Sequence, residues 1–125
     1  MSTYTPQRVL VVDDNPDMCA ALARLLAHLG YEVETARDGN QALDIHRGRA
    51  VAVVITDIFM PGKEGMETIQ AFKAEWPALR VIAMSGGGDV ARGSYLDAAL
   101  HIGADAVLQK PFSLASLRAA LGPVG

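Results

Sequence analysis

Apolar residues along this chain switch repeatedly between two spacings. Arg8-Val-Leu-Val-Val12, Val51-Ala-Val-Val-Ile-Thr-Asp57 and Arg80-Val-Ile-Ala-Met-Ser85 are short, β-branched apolar runs, the pattern of strands covered on both faces. Between them the period becomes helical. Met18, Leu22, Leu25, Leu26 and Leu29 share one helix face. Asn15-Pro16 gives that helix a cap and a first-turn proline, and Gly30 stops it. Tyr31 to Ala36 alternates like a strand, and Asp38-Gly39 turns into a short helix through Leu43 and Ile45. Pro61-Gly62 reverses the chain after Asp57. Met66, Ile69, Phe72 and Lys73 then predict a helix closing near Trp76-Pro77. Tyr95 to Ile102 reads as a helix ended by Gly103, Ala106 to Gln109 as a last short strand, and Ser113 as the cap of a final helix bearing Leu114, Leu117 and Leu121.

Strand and helix alternate throughout without a long linker or repeat. That order predicts an α/β domain whose parallel sheet is covered by helices through right-handed crossovers. Five βα units in this length fit a flavodoxin-like three-layer (βα)5 fold with strand order 2-1-3-4-5 and a switch point between strands one and three. The expected organisation is one domain over residues 1–125, with a flexible tail at 1–7, a core at 8–121 and no output domain.

Composition narrows the function. Half of the 125 residues are hydrophobic and 20% are charged, an ordinary globular balance. A net charge of −3 argues against direct nucleic-acid binding, which needs a clustered basic surface. No apolar run approaches the length of a membrane span, and the polar start lacks a signal peptide's apolar core. The single cysteine, Cys19, excludes an internal disulfide framework and fits a reducing cytoplasm. Cys19 reads as a small helix residue. His28, His46 and His101 lack partner spacing and read as surface or boundary residues, and the methionines as core filler.

The polar residues that end the strands carry the chemistry. Strand one stops at Asp13-Asp14, strand three at Asp57, strand four at Ser85 and strand five at Lys110. Ligands of open α/β sheets bind at this carboxyl end. Three carboxylates converging at the switch point repel one another unless a cation sits among them, and such hard oxygen ligands suit Mg²⁺ or a similar small divalent ion such as Mn²⁺. Ser85 and Lys110 supply a hydroxyl and an ammonium for the oxygens of a phosphoryl group on Asp57. Each residue alone has a plainer reading: a helix-terminus acid, a turn hydroxyl, a solvated lysine. Their coincidence at one end of successive strands favours a phosphoryl-transfer site.

From about Arg8 to Leu121 the chain resembles the receiver domain of bacterial two-component response regulators. The motifs are Val11-Val12-Asp13-Asp14-Asn15, Asp57-Ile-Phe-Met60-Pro61-Gly62 with Gly65, Ser85 after an apolar strand, and Gly103-Ala104-Asp105 leading to Lys110-Pro111-Phe112. The resemblance implies that Asp57 accepts a phosphoryl group from a sensor histidine kinase or a histidine phosphotransfer protein. It implies direct Mg²⁺ ligation by Asp14 and Asp57, with Asp13 acting through a water and the Phe59 backbone carbonyl as a further ligand. Ser85 and Lys110 would each hold a phosphoryl oxygen, and the Lys110-Pro111 bond would be cis. Downstream contact would run through the last two helices and the last strand. By the same resemblance, the domain itself would be no turnover enzyme.

Two departures stand out. The family's usual aromatic three residues before the lysine is Val107 here, leaving a switch region of Ser85, Gly86, Gly87 and Val107 with Tyr95 as a substitute ring. Gly86-Gly-Gly88 also predicts a mobile loop. A receiver-like interaction module working without phosphorylation is the main alternative. A remoter one is a serine hydrolase, because Ala83-Met-Ser85-Gly-Gly87 comes close to a nucleophile elbow, with Asp89 or Asp97 and His101 downstream.

Overall fold

The structure is a computed structural model that describes residues 7–58, 65–85, 92–110 and 112–122, without the side chains of 92–96. Strands β1 (Arg8–Val12), β2 (Glu32–Ala36), β3 (Val53–Asp57), β4 (Arg80–Ser85) and β5 (Ala106–Gln109) alternate with helices α1 (Pro16–His28), α2 (Gly39–Gly48), α3 (Gly65–Glu75), α4 (Arg92–His101) and α5 (Leu114–Leu121). All strand pairs are parallel, in the predicted order β2-β1-β3-β4-β5.

Strand alternation divides the core into two layers. Val9, Val11, Val53, Ile55, Ile82, Met84 and Leu108 pack under α1 and α5, against Cys19, Leu22, Leu26 and Leu117. Leu10, Val12, Val54, Val81 and Ala83 face the other way, onto Ala42 and Leu43 of α2, Ile69 and Phe72 of α3, and Ala99 of α4. Because both faces are covered, the strands read as continuous apolar runs rather than as alternating ones. The helix ends follow their capping chemistry. Asn15 accepts from the Asp17 and Met18 amides, Asp38 from Gln41, and Ser113 forms a reciprocal box with Ser116.

Three local features differ from expectation. β3 begins at Val53 rather than Val51, because the Val51 amide donates to His46 instead of a strand neighbour. α4 begins at Arg92, one turn before Tyr95. His46 is not a surface residue. Only 6% of it is exposed, on the inward stripe of α2 with Ala42 and Leu43. Its ring stands edge-on to Trp76 at 4.4 Å and to Phe72 at 5.8 Å. His28 and His101 are exposed.

Candidate functional site

The same alternation brings three charged groups together above the carboxyl ends of the strands. Asp13 continues the parity of Val9 and Val11, Asp57 that of Val53 and Ile55, and Lys110 that of Leu108. All three therefore turn toward the α1–α5 side of the sheet. The β1–β3 register pairs Val12 with Thr56, so the two carboxylates leave neighbouring strands at one level. The Lys110 ammonium lies between them, 3.2 Å from Asp13 Oδ2 and 3.1 Å from Asp57 Oδ2. Its backbone is held as well, the Lys110 amide donating to the Ser85 carbonyl at 2.8 Å.

Asp13 and Asp57 are both buried, at 1% and 7% exposed. A buried carboxylate must be paired or bonded, and a shared ammonium does this for two at once. Burial alone would depress the Lys110 pKa, but the pull of Asp57, then of Asp13, outweighs it and holds the ammonium above its ordinary value. Lys110 is thus a fixed positive charge at neutral pH.

Neighbouring groups hold the pair in place. The Asn15 amide donates to Asp13 Oδ1 at 3.0 Å, the Asp13 amide to Ala36 O at 3.0 Å, and the Cys19 thiol to Asp13 O at 3.3 Å. Burial first, then Asp13, pushes the Cys19 thiol up, so it stays a protonated donor. At the other side Gly65 opens α3 directly against the backbone of Asp57 and Ile58. A Cβ there would stand 2.8 Å from the Asp57 carbonyl carbon and closer still to Asp57 O and Ile58 Cα. Only glycine lets α3 start so near the acidic residue. The sequence reads Asn15 as a helix cap within the Val11–Asn15 motif and Cys19 as a small helix residue. The Asn15 contact is an Asx-type turn two residues on from Asp13, a signal the Asp13-Asp14-Asn15 sequence carries locally, while that of Cys19 reaches back six residues from the first turn of α1.

The expected three-carboxylate cluster is, among the described residues, two carboxylates and an ammonium. Asp14 is exposed, at the solvent side of the buried Asp13. No group of three His, Cys, Asp or Glu residues stands close enough to hold a metal among the described residues. Ser85 is fully buried at the end of β4. In the β4–β5 register it pairs with Gln109, next to Lys110. Val107 pairs with Ala83 and packs, partly buried, on the α2–α4 side. The expectations at Phe59, Gly86, Gly87 and the Lys110-Pro111 bond lie outside the described residues, as does the Tyr95 side chain. A hydrolase reading of Ser85 finds no histidine at its end of the sheet. His101 closes α4 and leads toward the start of β5, at the opposite edge.

Parallel (βα)5 architecture with an acidic crevice at the switch point and a lysine directly after β5 defines a receiver. The chain matches the response regulator receiver domain family over residues 9–122, and it belongs to that family. It is 36% identical over 114 residues to the response regulator MprA of Mycolicibacterium vanbaalenii, covering 91% of this chain and 48% of that protein. To the transcriptional regulatory protein PrrA of Mycobacterium tuberculosis it is 41% identical over 115 residues, covering 90% and 47%. The chain thus spans about half the length of these relatives. Among solved structures, a receiver domain protein from Clostridium thermocellum matches with a TM-score of 0.83 and 32% identity, over 92% of this chain and 90% of that one. The chemotaxis response regulator CheY4 of Vibrio cholerae matches with a TM-score of 0.79 and 29% identity, over 94% and 97%. Among the described residues no helix is long and apolar enough to cross a membrane.

Proposed function

We propose that this receiver is a cytoplasmic phospho-acceptor: Asp57 takes a phosphoryl group from a phosphohistidine of a sensor kinase or phosphotransfer protein. One observation carries the reading. A buried carboxylate at the carboxyl end of β3 is bonded to a lysine that is shared with a second buried carboxylate. An Asp57 oxygen attacks phosphorus, the P–N bond breaks, and its electron pair leaves with the imidazole of the donor. Lys110 neutralises charge building on the transferring group and then pairs with a phosphoryl oxygen. Ser85 supplies a hydroxyl to another.

The donor set suits a small hard cation. Asp13 and Asp57 already turn oxygens toward one positive centre, and Asp14 adjoins them at the solvent, an open arrangement of few carboxylates rather than a closed cage. Asp13, Asp14 and Asp57 would hold Mg²⁺ there, with the Phe59 carbonyl completing the protein ligands. When bound, the ion would add positive charge against the phosphoryl oxygens. The signal would pass on through α4, β5 and α5 to a protein partner, or as phosphate along a relay.

Intact mass after incubation with a small phosphodonor, with and without Mg²⁺, tests this. A metal-dependent gain of one phosphoryl group that Asp57→Asn abolishes is the expected result. No gain in folded protein under any condition would favour the interaction module that works without phosphorylation, a role that Val107, lacking a ring to swing, would fit. A gain that survives Asp57→Asn would place the acceptor elsewhere.

A further inference from the structure

At the opposite end of β3, far from the acidic crevice, a histidine closes the α2–β3 connection. His46 Nδ1 accepts the Val51 amide at 3.0 Å. That assignment requires the neutral imidazole with its proton on Nε2, because a protonated ring has only donors to offer. Val51 and His46 are both buried, so losing the bond would leave a buried N–H unanswered. Aromatic rings close the other sides, Phe72 of α3 and Trp76 just beyond its end standing edge-on to the imidazole.

The charges around this corner are Arg8 of β1, Arg47 and Asp44 of α2, and Glu75 of α3, with Arg49, Glu32 and Glu34 beyond Arg8. Arg8 donates to the carbonyls of Arg49 and Ala50, in the same connection, and pairs with Glu32 and Glu34. Arg49 also pairs with Glu32. Arg47 pairs with Glu75 at 2.8 Å and lies 6.0 Å from the Trp76 ring centre, with Asp44 at 3.9 Å. The acids here already have guanidinium partners, so a second cation at His46 would enter a site with none reserved for it.

We propose that His46 is a pH-sensitive latch: it holds the α2–β3 connection shut while neutral and releases it when protonated. Burial first, then Arg8, lowers the pKa of His46 from the ordinary 6.5, with Glu75 opposing. The sign follows. The latch contributes fully above 6.5, and its contribution is lost as pH falls below that value through the folded-state midpoint, because the unfolded chain binds the proton more readily.

Trp76 is the sole tryptophan and adjoins His46, so its fluorescence reports the protonation, a charged imidazole being a quencher. Titration of the intact chain from neutral to acid, beside the His46 ring-proton resonances, should give one shared midpoint below 6.5. Over the same range the Val51 amide should lose protection severalfold after correction for intrinsic exchange chemistry. Glu75→Gln should move the midpoint lower, and His46→Asn, whose side-chain oxygen still accepts a hydrogen bond, should abolish the transition. If His46→Asn does not fold, the wild-type and Glu75→Gln titrations decide the matter. A His46 midpoint at or above 6.5 would overturn the latch. So would unchanged Val51 protection across the transition, or a fluorescence transition surviving in His46→Asn.

Discussion

β3 carries a buried polar cluster at each end, and the two are built on opposite principles. At its close, Asp57 and Asp13 keep full charges in a buried crevice by sharing the Lys110 ammonium. At its start, the Val51 amide is answered by a neutral imidazole sealed by Phe72 and Trp76. An ion-pair cluster is held by charges that an incoming anion or cation can rearrange, so it suits exchange of ligands. A neutral bond among aromatic rings has no such partner to exchange with and changes only when its own proton count does. One strand thus joins a reactive end to a fixed end.

Changes that break this contrast should differ in size. Phe72→Ala removes a fully buried ring beneath the fixed end and should cost about 4 kcal/mol in denaturant unfolding. Lys110→Met leaves two buried carboxylates facing each other. It should cost about 3 kcal/mol near neutral pH, and part of that loss should return on acidification or on adding Mg²⁺, which Phe72→Ala would not show. His46→Phe keeps the aromatic packing but strands the Val51 amide, for about 2 kcal/mol; unlike wild type, its remaining stability should not fall with acid in the histidine range. Arg47→Ala breaks a pair whose side chains are 49% and 50% exposed, and should change stability by less than about 0.5 kcal/mol. A large loss in Arg47→Ala would mean that the fixed end depends on charge after all.

The fold was legible because its signals are local and repeated. The doubly covered strands announce themselves as apolar runs, and Asn15-Pro16, Gly30 and Ser113 mark helix ends by capping chemistry that tertiary packing left alone. Strand-end position placed Asp13, Asp57 and Lys110 near one another, yet it gave no reason to separate Asp14 from Asp13. The difference is one of burial, Asp13 being enclosed and Asp14 exposed. His46 was misread because one histidine in a helical pattern looks alike whether it faces water or a neighbouring helix. What decides its burial is Phe72 of α3 and Trp76 just after it, contacts distant in sequence.

The most direct measurement is a backbone amide chemical-shift map of the chain, first with Mg²⁺ and then with a small phosphodonor. The account predicts large, successive changes at Asp13, Asp14, Asp57 and Lys110, with Val51 and the residues around His46 left nearly unmoved at constant pH. Silence at Asp57 and Lys110 under both additions, or changes centred on Val51 instead, would contradict it.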